Sequence, residues 1–313
     1  MSRCLYCYQP SNENEQDFHA ACSKKLFGQP TPPILPYSEA DLEPLAKEII
    51  QSQTALTGVQ AKLSLHITGK NQEGKGRRFT LVGLWGGYIL KPPAVHYPQL
   101  PEVEDLTMHL AAVAKIKTAP HSLIRLQSGT LAYVTKRIDR TKKGKLAMED
   151  MCQLTERLTE DKYQGSYEQI GKAIVKYSTT PGLDVVNFLE LVLFSFITGN
   201  ADMHLKNFSL LEQPGLGMTL SPAYDLVNTA LVNPADDEEM ALHINGRKKK
   251  LTKHDFIAAM STLMVEEKQR QNIFNKMGKS LPKWLELIDK SFLSDDFKAQ
   301  YKSIIQERLA RLK

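Results

Sequence analysis

A chain of 313 residues, 42% of them hydrophobic, is long enough to bury a full core and to divide into two lobes, which excludes a disordered protein. Its 40 Lys and Arg against 35 Asp and Glu leave a formal charge of +5, suited to a polyanionic ligand but short of the basic excess of a dedicated nucleic-acid binder. Met1 to Pro10 holds no apolar signal segment, and the most hydrophobic stretch, Val185 to Thr198, is broken by Asn187 and Glu190, so a soluble, cytoplasmic protein is expected, with no membrane attachment and no direct nucleic-acid contact.

Three of the four cysteines crowd the start of the chain, unlike a disulfide framework. Cys4-x2-Cys7 and His19-x2-Cys22 supply three thiols and one imidazole, a set that suits a structural, tetrahedral zinc ion; a packed N-terminal arm with free thiols is the other reading. Pro30-Thr-Pro-Pro-Ile-Leu-Pro36 reads as a linker, and Ser38 with Asp41 as a helix start with its capping partner. Leu63-x-Leu65-x-Ile67, Phe79-x-Leu81 and Tyr88-Ile-Leu90 alternate as antiparallel strands do. An acidic run, Glu102 to Asp105, precedes helical spacing from Leu106 to Ile116, and Ser122 to Leu126 and Thr130 to Thr135 read as two more strands. From Met148 helices dominate: Tyr167 to Tyr177, then Leu183 to Thr198 as a buried central helix. Met240 to Ile244 reads as a strand, Asn245-Gly246 as a tight turn, and Thr252 with Asp255 as a helix cap.

The strongest chemical signal is Gly199-Asn-Ala-Asp-Met-His-Leu-Lys-Asn-Phe-Ser209, directly after the central helix. Asp202 and Asn207 have the spacing of a kinase catalytic loop, in which the Asp takes the proton of the acceptor hydroxyl and the Asn oxygen holds magnesium. Phosphoryl transfer asks a protein mainly for positioning and charge neutralisation, so base and metal ligand belong on one short loop. Asp225, after a strand and the Ser221-Pro222 turn, is the second metal-ligand candidate; a turn or cap aspartate is the plainer reading. Thr54 to Lys62 reads as a phosphate-covering glycine loop entering a strand. Lys91, ending an apolar strand, could reach nucleotide phosphates, with Glu104, or alternatively Glu102, as its partner. His204 and Lys206, inside the catalytic loop, are candidate nucleotide contacts, with a packed imidazole and a solvated lysine as alternatives.

Thr57-Gly-Val-Gln-Ala-Lys62, Tyr88-Ile-Leu-Lys-Pro92, Glu102-Val-Glu-Asp105, Lys136-Arg-Ile-Asp-Arg140, Met148-Glu-Asp-Met-Cys-Gln153, Asp202 to Ser209 and Ser221-Pro-Ala-Tyr-Asp225 occur in the order of the HipA family of bacterial serine/threonine kinase toxins, which this chain resembles from about Ser52 onward. The resemblance implies an α+β, two-lobed protein-kinase and phosphatidylinositol-kinase-like fold, with a β-rich N-lobe and a mainly helical C-lobe. Residues 1–30 would form the Cys/His element, 31–140 the N-lobe and 141–313 the C-lobe. ATP and magnesium are the implied ligands: Asp202 as catalytic base, Asn207 and Asp225 as magnesium ligands, and Thr57, Gly58, Val59, Gln60, Lys62, Lys91, Glu104, Lys136, Ile138, His204 and Lys206 on the nucleotide. Implied partners are an aminoacyl-tRNA synthetase or other translation protein as substrate, and antitoxin proteins. The chain looks most like the short HipT-type core, whose extra N-terminal subdomain is a separate protein. Ser52, Thr54 and Thr57 are the candidate autophosphorylation sites. A lipid or small-molecule kinase is the rival enzyme reading, and a silent pseudokinase acting as a binding module the rival non-enzyme reading. Gly246-Arg-Lys-Lys-Lys250, the compact basic run a lipid kinase would turn to a membrane, reads as a solvated hairpin turn.

Overall fold

The structure is a computed structural model that describes residues 2–11, 15, 17–44, 61–69, 77–82 and 86–313. The chain divides into two compact units, one of Met1–Asp105, Ala119–Ile138 and Lys290–Phe292, the other of Leu106–Thr118, Asp139–Asp289 and Leu293–Lys313.

In the first unit an antiparallel sheet runs in the order β2-β1-β3-β5-β4, with β1 Leu63–Thr68, β2 Arg78–Leu81, β3 Tyr88–Lys91, β4 His121–Arg125 and β5 Leu131–Lys136. Alternation sets the register: Leu63 faces Leu90, Leu65 faces Tyr88, and Leu90 faces Val134, all buried. The Cys/His segment shares this core, since Cys4, Leu5, Phe18, Leu26 and Phe27 pack with Leu63, Leu65, Phe79 and Leu90. The proline-rich segment also joins it, with Leu35 buried and Ile34 bridged to Arg78. Ser38 donates from both N–H and Oγ to Asp41 at 2.7 Å, and residues 39–44 are helical.

The helix expected from Leu106 begins earlier, at Leu100, and runs to Val113, so the acidic run forms its first turns instead of preceding it. Carboxylates are favourable at a helix N-terminus, where unpaired N–H groups concentrate positive charge.

The second unit is helical around Pro181–Ile197, a helix that opens with proline and is buried along most of its length. Its two polar interruptions have partners or a surface position: Glu190 pairs with Lys276, and Asn187 is half-buried. Asp184 ties the first turn down by accepting from Ser178 Oγ at 2.5 Å and from the Leu220 N–H at 2.9 Å. The helix Tyr167–Tyr177 has the expected bounds, with a Ser166/Gln169 capping box. A three-stranded antiparallel sheet, β10-β9-β8, joins β8 Met148–Asp150, β9 Ser209–Gln213 and β10 Gly217–Leu220. The short pair β6 Arg140–Thr141 and β7 Gly144–Lys145 precedes it.

Met240 to Ile244 does not form the expected strand. It makes only the single bridges Ser166 to His243 and Ile244 to Arg247, so no ladder extends it. The Asn245-Gly246 turn does form, with positive φ at both residues and reciprocal Ile244 and Arg247 backbone bonds of 2.8 and 2.9 Å. Thr252 and Asp255 form the capping box of Lys253–Thr262.

Candidate active site

The loop after the central helix is built by its own backbone. Thr198 ends the helix, and Gly199 takes φ +72°, the left-handed cap that lets the chain leave abruptly. A Cβ there would lie 2.7 Å from Asn228 Oδ1, so the cap also needs the absence of a side chain. The Asp202 N–H donates to Asn200 Oδ1 at 3.1 Å, and the Ala201 N–H to Thr229 Oγ1 at 2.8 Å. The Asp202 carbonyl accepts from the His204 N–H at 2.8 Å and from Asn207 Nδ2 at 2.9 Å. Main chain and amide thus hold Asp202 fixed while its side chain stays exposed.

Asn207 is buried, and its amide can face the Asp202 carbonyl only with its nitrogen, because two oxygens would repel. Its oxygen therefore remains as the acceptor a hard cation takes. Tyr163 donates from its hydroxyl to Asp202 Oδ1 at 2.7 Å, and its ring meets the buried His204 imidazole edge-on at 5.0 Å. Burial, and then the charges of Asp202, Asp236 and Asp225, hold the Tyr163 phenol far above its ordinary range, so it stays a donor.

Asp225 reaches the same neighbourhood through its neighbour. Tyr224 lies 2.5 Å from Ser209 Oγ and donates to the Lys206 carbonyl at 3.0 Å, docking the segment after β10 onto the loop. Asp225 itself has φ +60°, a left-handed conformation that short polar residues tolerate, and it is half-buried. A carboxylate and an amide oxygen are both hard donors, so Asp225 and Asn207 fit magnesium in kind.

Lys206 donates to Asp150 Oδ2 at 2.7 Å, which links the loop to the Met148-to-Gln153 motif. There Asp150 caps Met151–Leu154, exchanging bonds with Gln153 at 2.9 and 3.0 Å. Glu149 is exposed on β8.

In the first unit Lys91 Nζ meets Glu104 Oε1 at 2.6 Å, with both side chains almost wholly buried, and the ammonium also lies 5.5 Å from the Tyr133 ring. Glu104, not Glu102, takes this position. Burial, and then the Asp105 charge, pushes the Glu102 carboxyl above its usual range. Beside the pair, Asp105 accepts from Tyr8 and from His121 Nδ1, each at 2.7 Å. Lys62 and Lys136 are exposed at the ends of β1 and β5, and Ile138 is half-buried. Ser52, Thr54, Thr57, Gly58, Val59 and Gln60 lie outside the described residues.

Sequence reasoning missed Tyr163, Tyr224, Asn200 and Tyr167, whose hydroxyl holds the Met203 carbonyl at 3.0 Å. Asn200 and Tyr224 lie inside the catalytic-loop and Ser221-to-Asp225 motifs but carry no role that spacing reveals, and Tyr163 is 39 residues from the carboxylate it binds.

The model of the HipA-like C-terminal domain matches residues 54–285. The chain belongs to this family. A Sinorhizobium fredii protein named "Putative kinase Y4dM" is 33% identical over 207 residues, 62% of this chain and 49% of that protein. The chain spans about half the length of the first curated relatives it matches. Among solved structures, HipA from the Shewanella oneidensis toxin–antitoxin complex of HipA, HipB and operator DNA aligns with a TM-score of 0.68 at 24% identity, over 85% of this chain and 70% of that one. The Helicobacter pylori proinflammatory kinase CtkA aligns at 0.53 and 15%, over 72% and 87%. Both likenesses establish the fold, the α+β kinase fold expected from the motifs.

Proposed function

We propose that this protein is an ATP- and magnesium-dependent kinase that phosphorylates serine or threonine hydroxyls on a protein. The observation that carries the reading is the loop from Gly199 to Asn207: a fixed backbone, an exposed Asp202 carboxylate and a buried Asn207 with its oxygen left to accept. Magnesium-bound ATP would supply the transferable phosphoryl group, with Asn207 and Asp225 as metal ligands and Lys91 on the phosphates. Tyr163 occupies Asp202 Oδ1 and leaves Oδ2 to orient an acceptor hydroxyl and take its proton. Glu104 pairs with the Lys91 ammonium and fixes its position, and Lys206, paired with Asp150, anchors the loop between base and metal ligand.

A translation protein such as an aminoacyl-tRNA synthetase is the proposed substrate, and an antitoxin the proposed partner. Supporting the second is the HipB-bound state of the Shewanella structure. No helix among the described residues is long and apolar enough to cross a membrane. The test is phosphoryl transfer from labelled ATP into a cell lysate, wild type against Asp202→Asn. Label in protein bands that falls at least about a hundredfold in the variant supports the reading. Label in the lipid extract would favour a lipid kinase, and no label at all a binding module.

A further inference from the structure

The Cys/His segment lies before the matched span and plays no part in the proposed transfer, yet the fold gathers its four candidate ligands. Cys4 and Cys7 sit on a tight turn, closed by Tyr8 N–H to the Cys4 carbonyl and Cys4 N–H to the Gln9 carbonyl, both 2.9 Å. Tyr8 completes it with φ +63°. His19 stands at the N-cap of Ala20–Phe27 without using its ring to cap, and Cys22 lies three residues on, along the same helix face. One ligand atom from each of the four residues lies within 4.8 Å of every other, and all the thiols are free.

The distances discriminate between a thiol cluster and a metal centre. With metal–sulfur and metal–nitrogen bonds of about 2.3 and 2.0 Å, tetrahedral zinc separates a sulfur and a nitrogen by about 3.5 Å. His19 Nδ1 lies 3.4 Å from Cys7 Sγ and 3.7 Å from Cys22 Sγ. One lone pair accepts one S–H, so a hydrogen-bonded cluster satisfies only one of these contacts, whereas a cation between them satisfies both. The tautomer agrees. His19 Nε2 lies 2.9 Å from the Pro10 carbonyl, a pure acceptor, so Nε2 carries the proton and Nδ1 presents its lone pair to the cluster.

We infer that Cys4, Cys7, His19 and Cys22 bind one structural zinc ion, and that this centre holds Tyr8 on Asp105 in the helix that carries Glu104. On binding, each of the three thiols releases its proton to solvent, and four protein ligands leave no position for substrate. The link is short: Tyr8 follows Cys7 directly, its hydroxyl bonds Asp105 at 2.7 Å in a buried setting, and Asp105 follows Glu104. The Tyr8 ring is further seated edge-on against Phe292 at 5.2 Å, and the Arg3 guanidinium lies over the Phe292 ring. Zinc therefore fixes a turn whose next residue steadies the partner of Lys91.

The test does not depend on kinase activity. Full-length protein from zinc-supplemented culture, purified under reduction, should contain one zinc per chain, falling to about a tenth in Cys22→Ser and retained in His19→Cys. Zinc absent from wild type, or equal in wild type and Cys22→Ser, overturns the site. Should Cys22→Ser not fold, cobalt(II) reconstitution of wild type decides: tetrahedral bands with sulfur-to-cobalt charge transfer support it, and an octahedral spectrum overturns it. The coupling is read by hydrogen exchange. Chelation should speed exchange both in the 4–9 turn and at Leu100–Asp105, and Tyr8→Phe should keep its zinc while reproducing only the second change. A helix unaffected by chelation and by Tyr8→Phe overturns the coupling.

Discussion

Replacing Glu104 with alanine removes the carboxylate from an ammonium that is 3% exposed, while Glu104 itself is wholly buried. At 2.6 Å and an effective dielectric constant of about 20, the attraction between the two charges is about 6 kcal/mol. Desolvation of both charges offsets most of it in the intact protein, so the pair adds little net stability. Truncating one partner forfeits the attraction and keeps the other charge's desolvation, and the expected loss is about 3–5 kcal/mol. The Tyr133 ring recovers only part of this, because a cation–π contact contributes about 0.5–2 kcal/mol. Urea denaturation followed by circular dichroism measures the loss, and Lys91→Met with Glu104→Leu should restore most of it by leaving neither charge of the pair buried. A double variant as unstable as Glu104→Ala would refute the reasoning, because the loss would then come from packing.

Gly199→Ala should destabilise the protein by about 1–3 kcal/mol, since alanine is strained at φ +72° and its Cβ would press on Asn228; a melting temperature within error of wild type counts against the left-handed cap. Burial alone would raise the Glu239 carboxyl, but the Arg311 guanidinium, bonded to it at 2.6 and 2.9 Å, and the Leu251 N–H bring it below its ordinary value. Because the folded value is the lower one, this stabilisation is full above the unfolded value of about 4.5 and lost as pH falls through the folded value. The deficit of Glu239→Gln against wild type should accordingly shrink as pH drops below about 4.5; the same deficit at pH 7 and in acid would contradict the assignment.

Local chemistry made much of this molecule legible. Alternation in Leu63 to Ile67 and Tyr88 to Leu90 marked β1 and β3, because a pleated strand turns successive side chains to opposite faces. Ser38 with Asp41 and Thr252 with Asp255 marked helix starts, because the donors they satisfy lie within one turn. Met240 to Ile244 misled for the same reason: an apolar run shows that a segment is buried, and a strand also needs a neighbour to pair with.

Asp202 and Asn207 could be named from sequence because six consecutive residues of one loop carry both. The groups that fix them could not. Tyr163 reaches Asp202 across 39 residues, Tyr224 reaches Lys206 across 18, and Tyr8 reaches Asp105 across 97. Each of these tyrosines is, in sequence, an aromatic residue suited to any core, and only the folded chain decides which distant carboxylate or carbonyl its hydroxyl must satisfy. Sequence by itself determined which chemical groups the protein possesses and their local geometry. Tertiary structure decided which of them meet, because burial makes an unpartnered polar group costly and sets no limit on how far along the chain its partner lies.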